Sequence, residues 1–349
     1  MKKHSNVAFF IPHMGCPNMC SFCDQKAISG ESEPPKPEYI ADQCRDSLES
    51  GIDGKNSEIA YLEAVQPFLG ENGFWGIRIS TRPDALPDDI LLVLKKYGVT
   101  AIELGAQSMS DKVLMLNRRG HSAKDIAEAS ERIKRYGFSL GLQMMYGLYG
   151  SSKEDEEYTL SECIRLRPDT LRIYPTVVLE GTHLGELYKS GEYILPSWNE
   201  MIEFTANAIC RLKQENITLI RCGLHAEKSM EKRILGGFYH PSLKEIALGN
   251  LYLKKMLGWA EKNNDILKNR AKGSFVLVET AKGRSSLAAG HNKENKKCFS
   301  ENAYGVCLKI SERSDFPDEM IRISFCSGKT SGVITETLGE EVYDVFKIT

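Results

Sequence analysis

Residues 76–104 read GIRISTRPDALPDDILLVLKKYGVTAIEL. They contain an alternating strand pattern, GIRIS, then an amphipathic helix, DDILLVLKKY, and a second strand, TAIEL. The helix has its acids at the start and its lysines at the end, which is the distribution that the helix dipole favours. This stretch therefore predicts one complete strand–helix–strand unit of a parallel sheet.

The same alternation continues in both directions along the chain. Further strands are predicted at 7–12, 57–60, 138–145, 170–174 and 217–221, and further helices at 38–48, 122–136, 153–166 and 198–214. Ser122 is the predicted N-cap of its helix, and Gly137 lies just past the end. Helix-plus-strand repeats of about 30 residues predict an α/β fold, a partial (βα)6-type barrel of parallel strands. The functional site of such a fold lies at the carboxyl ends of the strands.

The pattern changes after residue 273. SFVLVET, YGVCLKIS, MIRISF and GVITETL are predicted short strands, and the polar stretch AGHNKENKKCFSEN between them is interpreted as a loop. The domain prediction is therefore a barrel at 1–222, a helical, locally basic extension at 223–273 and a small β-rich C-terminal module at 274–349.

Composition indicates a globular, cytoplasmic protein with no membrane partner. Apolar residues make up 42% of the 349 residues, and no apolar run approaches the ~18 residues of a membrane helix. The first apolar run is too short for a signal peptide. The net charge of −2 argues against a strongly basic nucleic-acid binder, yet 221–272 holds 11 Lys/Arg and 5 Asp/Glu, a local excess of +6. That excess fits either a solvated helix face or a docking surface for an anionic partner such as RNA.

Three of the ten cysteines form the densest group of potential metal ligands. PHMGCPNMCSFCDQ, residues 12–25, spaces Cys16, Cys20 and Cys23 as C-x3-C-x2-C directly after the first predicted strand. A structural zinc site wants four closed ligands, and His13 would be an unusual fourth. Three thiolates suit a [4Fe–4S] cluster with one open iron, and Phe22 offers an apolar surface beside it. The other seven cysteines are scattered and are expected to pack as thiols.

The cysteine spacing resembles that of the radical S-adenosylmethionine (SAM) superfamily. Further stretches resemble the subfamily that contains the catalytic subunit of Elongator: ISTRPDAL, IELGAQSMSDKVLMLNRRGH, FSLGLQMMYGL, LRIYPTVVLEGTHL and GLHAEKSMEKRILGGFYHP. The similarity covers about residues 5–245. Nothing in the chain resembles the acetyltransferase domain of Elongator.

The resemblance implies a radical SAM enzyme. Cys16, Cys20 and Cys23 would hold a [4Fe–4S] cluster whose open iron binds the amino and carboxylate groups of SAM. An electron from a flavodoxin- or ferredoxin-type donor would cleave SAM into methionine and a 5′-deoxyadenosyl radical. The substrate stays open, with tRNA modification suggested by the resemblance to Elongator, and no catalytic residue is assigned.

Polar side chains at the strand ends are the cofactor ligands that the resemblance implies. Together with Phe22 beside the cluster, they are Ser80, Gln107, Gln143 and Arg172. A loop hydrogen bond is the alternative for Gln107, and a satisfied core amide is the alternative for Gln143. For Arg172 the alternative is a structural salt bridge, because a buried cation needs a partner. Weaker candidates for substrate contacts, with a solvated helix start as the alternative for the first three, are Arg118, Arg119, His121 and His240.

One family feature is missing from the sequence. In related proteins the second strand ends in a Gly-rich turn that helps to bind the SAM amino group, whereas here SEIA runs directly into YLEAVQPFL. A strand-to-helix connection normally takes about 2–6 residues, and none are left for one. The alternative function is therefore a non-enzymatic or degenerate Fe–S protein, less readily a zinc protein, that has lost SAM chemistry.

Overall fold

The structure, a computed structural model, describes residues 20–23, 58–71, 73–224, 228–318 and 320–327. The chain divides into two compact units, 1–197 with 216–241 and 198–215 with 242–349. Cys16, the elements predicted at 7–12 and 38–48, and the strand predicted at 332–338 lie outside the described residues. The boundaries of the three-part domain division stay a prediction.

Five parallel strands form the main sheet of the first unit, in the order β1-β2-β3-β4-β6. The strands of this unit are β1 (Ile77–Thr81), β2 (Val99–Gln107), β3 (Ser139–Tyr146), β4 (Thr170–Pro175), β5 (Val177–Leu179), β6 (Thr218–Cys222) and β7 (Ile234–Gly237). β5 and β7 form a separate antiparallel pair. The predicted α/β partial barrel of parallel strands is confirmed.

Helices alternate with these strands. They are α1 (Glu58–Val65), α2 (Asp88–Lys96), α3 (Asp111–Leu116), α4 (Ala123–Arg135), α5 (Lys153–Arg165), α6 (His183–Ser190) and α8 (Lys228–Glu231), while α7 (Trp198–Gln214) belongs to the second unit. Ser122 caps α4 as predicted: the Asp125 amide donates to its hydroxyl at 3.2 Å, and its own amide donates to the Asp125 carboxylate at 2.7 Å. Gly137 follows α4 with φ +81°, a backbone conformation that favours glycine.

The two faces of the sheet differ in chemistry. Fully buried apolar residues occupy alternate positions, among them Ile102, Leu104 and Leu140, and helices α2, α4 and α5 pack against β2 or β3. The intervening positions point to the other side, because successive side chains of a strand alternate. We call this side the polar face; its residues are Arg78, Ser80, Glu103, Gln143, Arg172 and Arg221.

Gly141 of β3 lies on the polar face between Glu103 and Thr170, its register partners. A Cβ added to Gly141 would lie 2.6 Å from Glu103 Cγ and 2.9 Å from Thr170 Oγ1. The Glu103 side chain therefore occupies the space that any other residue at 141 would need.

The strand predicted at 57–60 is wrong for its described residues. Glu58–Val65 is α1, and a 3-10 helix at Gln66–Phe68 follows it. Glu, Ala and Leu favour helix, and no turn residue separates SEIA from the helical segment, so the whole stretch takes one conformation. Tyr61 of this helix is buried, and Val65 and Phe68 pack against it.

A buried acid supports the loop that follows β3. Glu156 of α5 accepts a hydrogen bond from the amide of Gly147 at 2.7 Å, and Tyr193 donates its hydroxyl to the carbonyl of Gly147. Burial raises the pKa of Glu156 to about 7. The loop is thus tied to α5 by a carboxyl group that titrates near neutrality.

The second unit combines helices with a small sheet. After α7 come α9 (Leu243–Lys262), α10 (Asn264–Lys268), α11 (Ser285–Ala289) and α12 (Glu294–Asn302), with β8 (Phe275–Ala281), β9 (Cys307–Arg313) and β10 (Ile321–Cys326) in the order β10-β8-β9. Met256, Phe299 and Ile321 belong to its core. The small C-terminal sheet is as predicted. Within the described ranges, no helix has the length and apolar character needed to cross a membrane.

The loop predicted for AGHNKENKKCFSEN is wrong. The stretch contains the end of α11, a 3-10 helix at His291–Lys293 and the whole of α12. Two residues hold α12 in place: Phe299 is fully buried, and Asn295 Nδ2 donates to the carbonyl of Gly249 at 2.8 Å. Asn295 and Phe299 are the buried residues of this helix. The rest of its composition is polar, which is why the sequence pattern suggested a loop.

Replacing Gly141 with Ala is expected to destabilise the first unit by about 1–3 kcal/mol, because the new methyl group overpacks against Glu103. Thermal denaturation measures the effect. Gly258→Ala is the matched control, since a Cβ there meets nothing within 4 Å and replaces glycine inside α9. An unchanged midpoint for Gly141→Ala contradicts the close approach of the Glu103 side chain.

Replacing Glu156 with Gln is expected to raise the melting temperature relative to wild type more at pH 8 than at pH 5. The folded pKa of about 7 exceeds the ordinary 4.5, so the stability from the bound proton is present below pH 4.5 and lost as pH rises through 7. Glutamine keeps an acceptor oxygen for Gly147 and never ionises. Glu154→Gln, an exposed acid of the same helix, is the control. An equal difference at both pH values contradicts the shift.

Candidate functional site

Residues 20–23, which we call the cysteine turn, are fixed to the first unit through Ser21. The Cys23 amide donates to the carbonyl of Cys20 at 3.1 Å and closes the turn. Ser21 is fully buried; its amide and hydroxyl donate to the backbone and side-chain oxygens of Asn117 at 3.1 and 2.7 Å. Its carbonyl accepts from the amide of Leu184 at 2.8 Å. The placement of both thiols therefore rests on one buried serine.

Asn117 completes this attachment. Its side-chain amide donates to the carbonyls of Val113 at 2.8 Å and Tyr149 at 2.9 Å. It is fully buried, and three hydrogen bonds satisfy its side chain. Asn117 thereby connects the cysteine turn to the loop that follows β3.

Arg119 contacts the sulfur of Cys20. Its Nη1 donates to Cys20 Sγ at 3.2 Å, and its Nη2 donates to the carbonyl of Gly105 in β2 at 2.6 Å. Arg119 is only 7% exposed and His121 only 8% exposed, so the solvated helix start considered for them is wrong. Burial, with the charge of Arg119, lowers the pKa of His121 to about 4, and its ring is neutral near pH 7.

Arg118 and His240 differ from Arg119 and His121 in being accessible to solvent. Arg118 is exposed, and its Nη2 lies 3.0 Å from Nε2 of His183 on α6. His240 is partly exposed, after β7. A role in substrate contact stays a prediction for both.

Phe22 packs its ring against the carboxyl end of β3. It contacts a buried cluster of Val113, Met145 and Leu148, and a second cluster around Leu184. The side chain is partly exposed. It anchors the cysteine turn, and its predicted place beside a cluster stays a prediction.

Three of the predicted cofactor ligands contact the carboxylate of Glu103 in β2. This carboxylate is 1% exposed, lies 2.7 Å from Arg172 Nε as an ion pair, and accepts a hydrogen bond from Arg172 Nη2 at 3.0 Å. Arg78 Nη1 donates to it at 2.7 Å. Ser80 Oγ and Gln143 Nε2 each lie 3.3 Å from its Oε2. Ser80, Gln143 and Arg172 therefore meet on one buried carboxylate.

Glu103 is the functional residue that the sequence analysis missed. The signal was present, because Glu103 is the only acid in the apolar strand TAIELGAQ and shares its strand parity with Gln107. Arg172 in a strand also demanded a carboxylate partner. Arg172 has that partner, and its Nη1 also donates to the hydroxyl of Tyr174 at 3.1 Å. Burial opposes the charge of Arg172, but Tyr174 and Glu103 outweigh it and raise the pKa of the guanidinium.

Gln107 ends β2 in a strained, unsatisfied state. Its φ is +67°, a left-handed conformation, and its side chain is 9% exposed. In the described structure its buried Oε1 has no hydrogen-bond partner. Strain and an unpartnered acceptor at a strand's carboxyl end fit a ligand-binding residue better than the loop hydrogen bond considered as the alternative.

The residues present fit the two implied cofactors. Cys20 and Cys23 offer two thiols in one turn, and Arg119 supplies a cationic hydrogen-bond donor of the kind that tunes cluster sulfurs. Gln107 offers an unpartnered acceptor, and the polar face offers Ser80, Gln143 and Arg172 in one hydrogen-bonded group.

Two family models match consecutive segments of the chain. Residues 10–163 match the radical SAM superfamily, and residues 168–253 match the radical SAM C-terminal domain. The cysteine turn and β1 to β3 fall in the first segment, and β4 to β7 in the second.

Curated relatives match about half of the chain. A tRNA uridine(34) acetyltransferase of Dehalococcoides mccartyi is 34% identical over 159 residues, which cover 44% of this chain and 33% of that protein. Human Elongator complex protein 3 is 35% identical over 176 residues, covering 50% and 32%. The chain thus spans about a third of the length of these relatives.

Among solved structures, archaeal Methanocaldococcus infernus Elp3 matches 66% of this chain and 51% of its own, with 26% identity and a TM-score of 0.49. Coproporphyrinogen III oxidase of Escherichia coli, a radical SAM enzyme, matches 57% and 50%, with 20% identity and a TM-score of 0.41. The two family models together follow the chain from the cysteine loop to the last strand of the first unit, and on that ground the chain belongs to the radical SAM superfamily.

Proposed function

We propose that this chain is a radical SAM enzyme that holds a [4Fe–4S] cluster on Cys16, Cys20 and Cys23. The observation that carries the proposal is the contact of Arg119 with Cys20 Sγ, in a turn that Ser21 fixes to Asn117. A guanidinium that donates to a cysteine sulfur stabilises negative charge on that sulfur, and the sulfur carries such charge when it ligates iron.

The cofactors of the superfamily are a [4Fe–4S] cluster and SAM, which together supply reductive cleavage of SAM to methionine and a 5′-deoxyadenosyl radical. In this chain Phe22 and its apolar neighbours exclude water from one side of the cysteine turn. Arg119 balances charge on the Cys20 sulfur and, through Gly105, fixes that sulfur relative to β2.

Ser80, Gln143 and Arg172 of the polar face, together with Gln107, are the proposed SAM site. Gln107 would accept a hydrogen bond from the cofactor with its Oε1, which is buried and unpartnered in the described structure. Ser80, Gln143 and Arg172 line the neighbouring strands and are held in register by Glu103. We assign Glu103 as a positioning residue, because its carboxylate bonds to these side chains and to Arg78.

The proposed substrate is tRNA, supported by relatives named as tRNA uridine(34) acetyltransferases. This chain spans about a third of their length, and the family models that match it are those of the radical SAM superfamily and its C-terminal domain, so the proposal extends to RNA modification and not to acetyl transfer. The proposed electron source is a flavodoxin- or ferredoxin-type protein in the cytoplasm.

A second candidate is an iron–sulfur protein that binds the cluster without cleaving SAM. The helix at Glu58–Val65 favours it, since the residues where relatives carry a strand and a Gly-rich turn are helical. Both candidates share the cluster and differ only in SAM turnover.

The deciding experiment is anaerobic reconstitution with iron and sulfide, reduction with dithionite, addition of SAM and measurement of 5′-deoxyadenosine. We expect product from wild type and none from Cys16→Ala, Cys20→Ala or Cys23→Ala, which also lose the cluster absorbance. Cys307→Ala, an exposed cysteine, is the control and keeps both. A cluster without product supports the second candidate, and full cluster absorbance in Cys20→Ala contradicts the ligand assignment.

Replacing Glu103 with Gln is expected to raise the dissociation constant for SAM about 10–100-fold, because charge-assisted hydrogen bonds worth about 1.5–3 kcal/mol are lost. The cluster absorbance should stay unchanged, and the two readouts separate misplaced ligands from misfolding. Glu162→Gln, which breaks the exposed pair with Arg165, is the control. Equal SAM affinity in Glu103→Gln and wild type contradicts the positioning role.

A further inference from the structure

The five strands of the main sheet carry an excess of positive charge. Their charged residues are Arg78, Glu103, Arg172 and Arg221, three guanidiniums and one carboxylate. All four belong to the polar face. Glu103 can offset only one of these positive charges, so the face has a net charge of +2.

Of the three arginines of the polar face, Arg221 is the one that does not pair with Glu103. Arg78 and Arg172 both pair with that carboxylate. Arg221 donates its Nε to the carbonyl of Gly223 at 3.2 Å, and among the described residues it has no carboxylate partner. This bond directs its guanidinium toward the carboxyl end of β6, where ligands of such sheets bind.

Arg221 and Arg172 are register partners on neighbouring strands. Neighbouring strands lie about 4.8 Å apart, so both arginine side chains extend from the same region of the polar face. An anion bound near two like charges reduces the repulsion between them.

Tyr174 supplies a further donor at the same end of β4. Its hydroxyl accepts from Arg172 Nη1 at 3.1 Å, which leaves the hydroxyl hydrogen to donate. The Tyr174 ring packs against Val113, Met145 and Leu148, so the hydroxyl is held in place. Two guanidiniums and a fixed hydroxyl form the donor set that an oxyanion takes.

We propose that Arg221, with Tyr174 and the charge of Arg172, binds a phosphate group of the RNA substrate at the carboxyl ends of β4 and β6. The inference rests on the proposed function for the identity of the substrate. Arginine suits phosphate because its planar fork makes paired hydrogen bonds. The other oxyanion within reach of this chemistry is the carboxylate of SAM, and the experiment separates the two sources.

The test measures binding of an unmodified tRNA transcript to the reconstituted full chain at several KCl concentrations, beside the SAM dissociation constant. Arg221→Gln is expected to weaken tRNA binding about 10-fold or more and to reduce the slope of log K against log salt by about 0.7–0.9. Its SAM affinity and cluster absorbance should equal those of wild type. Arg221→Lys should keep the salt slope and recover part of the affinity.

Arg135→Gln, an exposed arginine paired with Asp88 on the helical side, is the matched control and should bind tRNA as wild type does. Unchanged tRNA affinity and slope in Arg221→Gln overturn the proposal, as does a wild type that binds no tRNA. A raised SAM dissociation constant with unchanged tRNA binding assigns the oxyanion to SAM and also overturns it. Loss of tRNA binding in Arg221→Gln supports the proposal even if wild type produces no 5′-deoxyadenosine, an outcome that removes the proposed enzyme function alone.

Discussion

The buried carboxylate of Glu103 is the interaction on which the candidate site depends. It lies at 1% exposure in β2 and takes hydrogen bonds from side chains of β1, β3 and β4. A buried carboxylate is stable only when hydrogen-bond donors occupy the lone pairs of its oxygens. Glu103 therefore needs the surrounding donors, and it also holds them in position. Four strands thereby share one electrostatic centre on a face that would otherwise be an assembly of mutually repelling arginines.

The cysteine turn is attached by a different kind of contact. Ser21 and Asn117 are neutral, fully buried and mutually satisfied, so they hold the thiols without adding charge. Arg119 then supplies a single cation at Cys20 Sγ. Neutral anchoring with one charged contact suits the proposed cluster, because the hydrogen bonds of Ser21 and Asn117 involve no group whose charge would compete with that of the cluster.

The sequence predicted what local physics determines. Alternation along GIRIS and TAIEL, the acid-to-lysine gradient of α2 and the cap at Ser122 each follow from a short window and are present. SEIA was misassigned as a strand because a pattern of four residues fits a strand and a helix equally well. The absence of a turn between SEIA and the following helical segment is what favours the helix. The loop assigned to AGHNKENKKCFSEN failed because burial of Phe299 depends on residues far along the chain. Glu103 and the contact of Arg119 with Cys20 were not predicted for the same reason: the side-chain partners of Glu103 are 23 to 69 residues away, and Cys20 is 99 residues from Arg119.

Arg119 also fixes the spacing between two parts of the candidate site, the cysteine turn and Glu103. It bonds both Cys20 Sγ and the carbonyl of Gly105, and Gly105 lies two residues beyond Glu103 on β2. Two residues of strand span about 6.6 Å, a length that insertions in the surface loops do not alter. Loops of this chain are therefore free to diverge in evolution without changing the spacing between the thiol and the carboxylate. A slip of one residue in β2, in contrast, would turn Glu103 to the apolar side and move the anchor of Arg119 at the same time.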